Sequence, residues 1–161
     1  MARVLIVDDA RFIRQLLAKL IAHAGHEVVG EASDGTAAVE QFRRLRPDIV
    51  TLDLTMPQMG GMEALRQMLA IDAEARIIVC SAINARAKVL EALDAGASDF
   101  LLKPVKPERV VDALSRVVQG VTVARGDLRQ RAEQEMQEDP AVPKFVPWRK
   151  RVSESETDST T

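Results

Sequence analysis

Charged side chains follow three short apolar segments of this sequence. The first segment is followed by Asp8 and Asp9, the third by Asp53 and the fifth by Lys103. Carboxylates that crowd together repel one another, so they raise each other's pKa or take up a cation. Mg²⁺ binds one or two carboxylates and completes its shell with waters and phosphate oxygens. Three carboxylates, one such ion and one lysine therefore predict a charge-balanced site for a phosphoryl group.

The segments that carry these residues alternate with segments of helical period. The predicted strands are residues 3–7, 27–32, 49–52, 76–80 and 99–102, and the predicted helices are residues 10–24, 36–45, 62–69, 85–95 and 108–118. In the first helix Ile13, Leu17 and Ile21 repeat at the spacing of one buried face. Alternation of strand and helix favours a parallel sheet covered on both sides. For five strands we expect the flavodoxin-like order 2-1-3-4-5 in a doubly wound α/β fold.

This fold predicts where the charged residues meet. Ligand sites of such sheets lie beyond the carboxyl ends of the strands, at the switch point between strands 1 and 3. The fourth strand adds Ser81 there. Taken singly, each residue has a plainer interpretation: Asp8 or Asp9 as a helix cap, Asp53 as a turn residue, Ser81 as the N-cap of the next helix, and Lys103 as a solvated side chain. Their joint occurrence at neighbouring strand ends favours the site.

Composition limits the class of protein. The chain has 161 residues, of which 47% are hydrophobic and 29% charged, and its net charge is −2. We therefore expect one globular domain with a tail, no membrane insertion, and no general attraction to nucleic acid. The N-terminus has no signal-peptide pattern, which predicts a cytoplasmic protein. Cys80, the single cysteine, lies among aliphatic residues and is expected to be a buried apolar side chain.

A change of composition predicts a domain boundary near residue 120. Residues 121–161 form a charged, proline-containing and Ser/Thr-rich C-terminal extension, which we expect to be partly helical or disordered and to form no core. Leu128, Ala132 and Met136 are spaced to line one face of a short helix. The extension is interpreted as a tether or a partner-binding peptide anchored by Phe145 and Trp148.

Nucleic-acid binding by this extension is disfavoured. Its basic cluster at residues 149–151 is short, and the 7 basic residues of positions 121–161 are outnumbered by 8 acidic ones. Acidic neighbours oppose attraction to phosphates. Other phosphate chemistries lack their motifs, because the chain contains no G-x-G-x-x-G after its first strand and no P-loop. A phosphatase of the haloacid dehalogenase type would carry an Asp-x-Asp pair, whereas Asp8 and Asp9 are adjacent.

Four motifs resemble the receiver domain of two-component response regulators, most closely its chemotaxis members. They are LIVDD at residues 5–9, DLTMP at 53–57, CSA at 80–82 and FLLKP at 100–104, and the resemblance covers about residues 2–119. One departure is Gly60-Gly61, where many relatives have Asp-Gly. It lies beyond the metal-binding positions.

The resemblance implies a role for each site residue. Asp53 would be the phosphoacceptor. Asp9, Asp53 and the backbone carbonyl of Thr55 would bind Mg²⁺ directly, with Asp8 assisting, partly through water. Lys103 would pair with the phosphoryl oxygens, and its peptide bond to the following proline is expected to be cis.

The resemblance also implies a switch. Phosphorylation would draw in the hydroxyl of Ser81 and leave space for the ring of Phe100, and thereby change a face made of the fourth helix, fifth strand and fifth helix. Alternatively, Phe100 is an ordinary core residue. The implied partners are a sensor histidine kinase and a downstream protein such as the flagellar motor switch. A stand-alone relay in another pathway is the alternative, and in either case the chain is a regulator rather than an enzyme.

Overall fold

A computed structural model describes residues 1–56, 59–120 and 125–137, without the side chain of Arg125. Within these residues five strands and five helices alternate as predicted, and a sixth helix follows. The strands are β1 (Arg3–Val7), β2 (Glu27–Ala32), β3 (Ile49–Asp53), β4 (Ile77–Ala82) and β5 (Asp99–Lys103). The helices are α1 (Arg11–His23), α2 (Gly35–Leu45), α3 (Gly61–Ile71), α4 (Arg86–Ala95), α5 (Pro107–Val118) and α6 (Arg125–Gln137).

The strands form one parallel sheet in the order β2-β1-β3-β4-β5, which confirms the predicted flavodoxin-like topology. Val7 pairs with Leu52, and Asp53 pairs with Cys80. The carboxyl ends of β1, β3 and β4 therefore lie side by side at one edge of the sheet. Cys80 is buried as expected, and its burial raises the pKa of the thiol to about 12.

Side chains of the sheet alternate between two apolar layers. The layer under α1 and α5 includes Ile6, Leu17, Ile49, Ile78 and Leu114. The opposite layer, under α2, α3 and α4, includes Leu52, Phe42, Leu65, Leu93 and Phe100. Because both faces are covered, the sheet holds its strand ends in fixed positions relative to one another.

The strands extend further than the sequence pattern predicts. Asp53 is the last residue of β3 and Lys103 the last of β5, whereas the apolar runs end one residue earlier. Similarly, β4 continues to Ala82, which pairs with Lys103. A polar residue can end a strand because the ladder is made by backbone groups, whatever the side chain. Asp53, Ser81 and Lys103 are consequently held by the sheet itself, whereas Asp8 and Asp9 directly follow the end of β1.

Helix α6 adds to the core on the side of α4. Its residues Leu128, Ala132 and Met136 are buried and belong to the same apolar layer as Leu93 and Phe100. The expectation that no core forms beyond residue 120 is therefore wrong for these three side chains. Their spacing puts them on one helix face, and α4 supplies the apolar surface that an isolated short helix lacks. The domain boundary near residue 120 stays a prediction.

Some predicted features lie outside the described residues. These are Pro57 of the DLTMP motif and the features of residues 138–161, including Phe145, Trp148 and the basic cluster at 149–151. In the part of the chain that the structure describes, no helix has the length and apolar character needed to cross a bilayer.

The start of α3 lies directly against the end of β3. A Cβ atom added to Gly61 would meet the backbone oxygen of Asp53 at 2.2 Å and the Cα of Leu54 at 2.5 Å. At the neighbouring Gly60, whose φ is −68°, a Cβ would have no atom within 4 Å. Gly61 therefore permits a close backbone approach that positions the strand end carrying Asp53.

We expect Gly61→Ala to lower the free energy of unfolding by about 2 kcal/mol or more, because backbone atoms cannot move aside as a flexible side chain can. The matched variant Gly60→Ala should change it by less than about 0.5 kcal/mol. Urea unfolding of the two variants and the wild type measures the difference. Equal stability of the two variants would contradict the close approach.

Candidate functional site

Three carboxylates meet at the carboxyl edge of the sheet, as the sequence predicts. One ligand atom from each of Asp8, Asp9 and Asp53 lies within 4.8 Å of the other two. Asp8 and Asp53 are 1% and 2% exposed, whereas Asp9 is exposed. Neighbouring strands β1 and β3 deliver them, and the sheet register keeps them together. The site is thus a partly buried acidic pocket with one open side.

Backbone groups fix two of these carboxylates. The amide of Ala10 donates to Asp8 Oδ1 at 2.9 Å, and the amide of Thr55 donates to Asp53 Oδ1 at 3.0 Å. The N-cap of α1 is Ala10, so neither aspartate caps this helix through its side chain. Both bonds span two residues and hold the carboxylates in tight turns. The roles assigned to Asp8, Asp53 and the carbonyl of Thr55 stay predictions.

Arg14 supports the site, although sequence reasoning gave it no role. Its Nη1 donates to the backbone oxygen of Asp8 at 2.7 Å, and its Nε lies 3.4 Å from Glu31 Oε1. The arginine thus ties the first turn of α1 to the loop after β1. Its position one turn into the helix that follows the acidic pair is the only signal in the sequence, and charged residues at such positions are usually solvated.

Lys103 reaches two of the three carboxylates. Its Nζ lies 2.9 Å from Asp8 Oδ2 and 3.5 Å from Asp53 Oδ2. Burial lowers the pKa of Lys103, but the hydrogen bond to Asp8 and the charge of Asp53 outweigh it, so the pKa is raised overall. The ammonium group therefore stays charged at neutral pH. The peptide bond between Lys103 and Pro104 is cis, as expected.

Asp53 holds its negative charge at a cost. Burial, with smaller contributions from Asp8 and Asp9, raises the pKa of Asp53 from 3.8 to about 6, while the amide of Thr55 and the charge of Lys103 act in the opposite direction. Ionised Asp53 is consequently less stable in the pocket than in water. A bound cation would relieve this cost.

Ser81 and Phe100 lie on one face of the sheet beyond the acidic pocket. Phe100 pairs with Val79, and Ser81 follows two residues later on the same side of β4. Both side chains are buried, and Ser81 Oγ donates to the oxygen of Ala82 at 3.3 Å. The burial of Phe100 fits both the switch and the core interpretation, and its role stays a prediction.

Two arginines lie over the ring of Phe100, which the sequence did not reveal. The guanidinium carbons of Arg109 and Arg131 are 5.5 and 5.3 Å from the ring centroid. Arg109 comes from α5 and Arg131 from α6, so they approach along separate elements. Such contacts join residues far apart in sequence, and no local pattern predicts them.

Comparison with known proteins agrees with this geometry. A family model of the response regulator receiver domain matches residues 4–115. The chain belongs to this family. It is 55% identical to the chemotaxis protein CheY of Thermotoga maritima over 115 residues, which are 71% of this chain and 96% of that protein. The receiver fold and the two-component signalling class are thus established for residues that include the whole acidic site.

Two solved structures are also similar to this receiver. One is a two-component response regulator of the LuxR family from an Aurantimonas species, with a TM-score of 0.73, 35% identity, and coverage of 86% of this chain and 99% of that one. The other is a CheX–CheY complex with BeF₃ and Mg²⁺ from Borrelia burgdorferi. It has a TM-score of 0.69 and 35% identity, covering 72% of this chain and 88% of that one.

The acidic pocket has the chemistry of an Mg²⁺ site. Receiver domains bind this ion in such a pocket. Here the donors offered by Asp8, Asp9 and Asp53 are all carboxylate oxygens, which a hard cation prefers. The exposed position of Asp9 leaves one side of the pocket open to solvent. The donor set therefore fits Mg²⁺.

We expect Asp53→Asn to stabilise the fold by about 1–3 kcal/mol near pH 7.5 without divalent cations, because it removes a buried charge. The raised pKa means that the wild type bears this cost fully above about pH 6 and loses it as the pH falls toward 3.8. The advantage of the variant should therefore shrink by about half near pH 5. Thermal unfolding of the variant and the wild type at both pH values measures this difference in stability.

Asp72→Asn provides the matched control, since it makes the same change at an exposed carboxylate. It should leave the stability nearly unchanged at both pH values. An Asp53→Asn advantage that is the same at pH 5 as at pH 7.5 would contradict the raised pKa.

Proposed function

We propose that this receiver accepts a phosphoryl group on Asp53 from the phosphohistidine of a sensor histidine kinase. The observation that carries the proposal is the joint arrangement of one carboxylate cluster and one ammonium group. The carboxylates of Asp8, Asp9 and Asp53 lie within 4.8 Å, and Lys103 Nζ lies 2.9 Å from Asp8 and 3.5 Å from Asp53. Such a pocket favours a phosphoryl group, because Lys103 and a bound metal ion would offset the negative charge of the phosphoryl oxygens.

The transfer is a displacement at phosphorus. A carboxylate oxygen of Asp53 forms a P–O bond while the P–N bond of the phosphohistidine breaks, and the electron pair of that bond stays on the imidazole nitrogen. Asp8, Asp9, Asp53 and the carbonyl of Thr55 would hold Mg²⁺, which when bound offsets charge on the phosphoryl oxygens. Lys103 contributes a second positive charge from the end of β5.

Loss of the phosphoryl group follows when water attacks the acyl phosphate and releases inorganic phosphate. Because the group is carried by the protein itself, the chain acts on no separate substrate. Receiver domains are signalling proteins rather than enzymes in the usual sense. We therefore interpret phosphoryl acceptance and loss as the two directions of a switch, with Ser81 and Phe100 as its responding residues.

The output we propose is chemotaxis, through binding of the flagellar motor switch by the face of α4, β5 and α5. The similarity to CheY of Thermotoga maritima over 96% of its length supports this assignment. A relay or regulator of another pathway is the second candidate, supported by the likeness to a LuxR-family response regulator. A cytoplasmic location fits both candidates.

Incubation with acetyl phosphate and Mg²⁺ should add the mass of one phosphoryl group to the wild type and none to Asp53→Asn, because the acceptor oxygen is lost. Intact-mass spectrometry measures the gain. The matched control Asp72→Asn, at an exposed carboxylate outside the pocket, should be modified to the same extent as the wild type.

Equal modification of the wild type and Asp53→Asn would reject Asp53 as the acceptor. Modification without Mg²⁺ at the same rate would reject the metal requirement, since the carboxylate cluster would then accept the group unaided.

The chemotaxis output is tested by capture of the purified flagellar motor switch protein on the immobilised full chain. We expect beryllofluoride with Mg²⁺, a mimic of the phosphoryl group, to increase the captured amount by about tenfold or more. Unchanged capture, with the mimic bound, would favour a role in another pathway.

A further inference from the structure

Helix α6 lies on part of the face through which the proposed function signals. Its apolar stripe, Leu128, Ala132 and Met136, is 5%, 0% and 7% exposed. The stripe belongs to one apolar layer with Ala92 and Leu93 of α4 and with Phe100 of β5. The family model ends at residue 115, before α6 begins at Arg125. The helix thus lies beyond the segment that the family model matches, and its buried side covers α4 and β5.

Ion pairs hold α6 to its neighbours at both sides of the stripe. Arg129 Nη1 lies 2.6 Å from Asp94 Oδ2 of α4, and Glu133 Oε1 lies 3.4 Å from Arg86 Nη2. Toward α5, Glu135 Oε2 lies 3.5 Å from Arg109 Nη2. Charges of both signs on α6 therefore meet opposite charges on α4 and α5. This complementarity specifies one orientation of the helix on the face.

The centre of the contact is the ring of Phe100. Arg131 of α6 pairs with the buried carboxylate of Asp99 and places its guanidinium carbon 5.3 Å from the ring centroid. Arg109 of α5 lies 5.5 Å from the same centroid and donates to the oxygen of Phe100 at 3.1 Å. The ring itself is 0% exposed. Docked α6 is consequently in direct contact with the ring in this buried position.

The same strands connect the ring to the acidic pocket. On β4, Ser81 follows the residue paired with Phe100 by two positions and shares its face of the sheet. On β5, Lys103 lies three positions after Phe100 and contacts Asp8 and Asp53. A phosphoryl group that attracts Ser81 and Lys103 therefore acts on both strands that support the ring. Any displacement of the ring removes contacts of α6.

Most polar contacts of α6 contribute little to the stability of its docking. The ion pairs of Arg129 and Arg86 join partly or largely exposed side chains, and such pairs contribute little stability. Within the described residues, Nε of Arg131 is buried without a hydrogen bond, although Glu135 Oε1 lies 3.8 Å away. An unsatisfied buried donor reduces the net stability of docking. The docking of α6 therefore depends mainly on its apolar stripe and on the contacts of Arg131 with Asp99 and Phe100.

We propose that α6 is an intramolecular cover of the α4–β5 surface, released when Asp53 carries a phosphoryl group, so that a partner gains this surface only in the phosphorylated state. The inference rests on the proposed function. Because coupling between two sites is reciprocal, release of α6 by mutation must also raise the affinity of the pocket for a phosphoryl mimic. The effect of the phosphoryl mimic on α6 and the effect of α6 release on the affinity for the mimic are measured separately.

Hydrogen exchange of the full chain, with and without beryllofluoride and Mg²⁺, tests the release. We expect amides of residues 128–136 to exchange about fivefold faster or more with the mimic, while amides around Asp53 become protected. Protection at Asp53 with unchanged or slower exchange in α6 would overturn the cover and leave the proposed function intact. A chain that gains no protection at Asp53 would overturn the proposed function and the cover together.

Ala132→Glu and Gln134→Glu form a matched pair for the reciprocal test, since each adds one negative charge to α6. Ala132 is 0% exposed, whereas Gln134 is exposed. We expect Ala132→Glu to speed exchange in α6 without the mimic and to tighten beryllofluoride binding about fivefold, and Gln134→Glu to do neither. Arg131→Gln, which removes the charge over Phe100 but keeps a long side chain, should act like Ala132→Glu. Faster exchange of α6 with unchanged mimic affinity in both variants would overturn the coupling.

Discussion

The structure depends on the crowding of like charges at one edge of the sheet. Asp8 and Asp53 are nearly inaccessible to solvent, and Asp9 completes a group whose oxygens lie within 4.8 Å. Burial raises the pKa of Asp53 to about 6, so the ionised carboxylate is under electrostatic strain unless a cation offsets its charge. Lys103 compensates part of this charge through contacts with Asp8 and Asp53. Under the proposed function, a bound cation would offset the remaining negative charge and allow the pocket to accept a phosphoryl group.

The parallel sheet makes this crowding possible. Its hydrogen bonds fix the ends of β1, β3 and β5 at one edge, and two apolar layers prevent the strands from moving apart. Gly61 brings the start of α3 against the backbone of Asp53, which leaves the strand end little freedom. The acidic residues therefore cannot relax away from one another. Stability supplied by the core maintains an unfavourable arrangement at the site.

Two strands of this rigid sheet run from the acidic pocket to the region around Phe100. Strands β4 and β5 support both the acidic site and the ring of Phe100, and the ring is enclosed by Arg109 of α5 and Arg131 of α6. Under the proposed coupling, a change at the strand ends would reach, through the paired strands, a helix that lies beyond the family-matched segment. The ring of Phe100 lies between these two regions, on the strand that ends at Lys103 and in the apolar layer that α6 joins.

The sequence by itself determined the sheet order, the alternation of strands and helices, and the acidic cluster with Lys103. These follow from local periods and from the rule that ligands bind beyond the carboxyl ends of parallel strands, so residues in separate segments are placed by topology alone. Only the tertiary structure decided that α6 joins the core through Leu128, Ala132 and Met136, and that Arg131 lies over Phe100. A weak stripe on a highly charged helix becomes a packed face only when a complementary surface is present. That surface belongs to α4 and β5, which lie far from α6 in sequence, so no local pattern contains it.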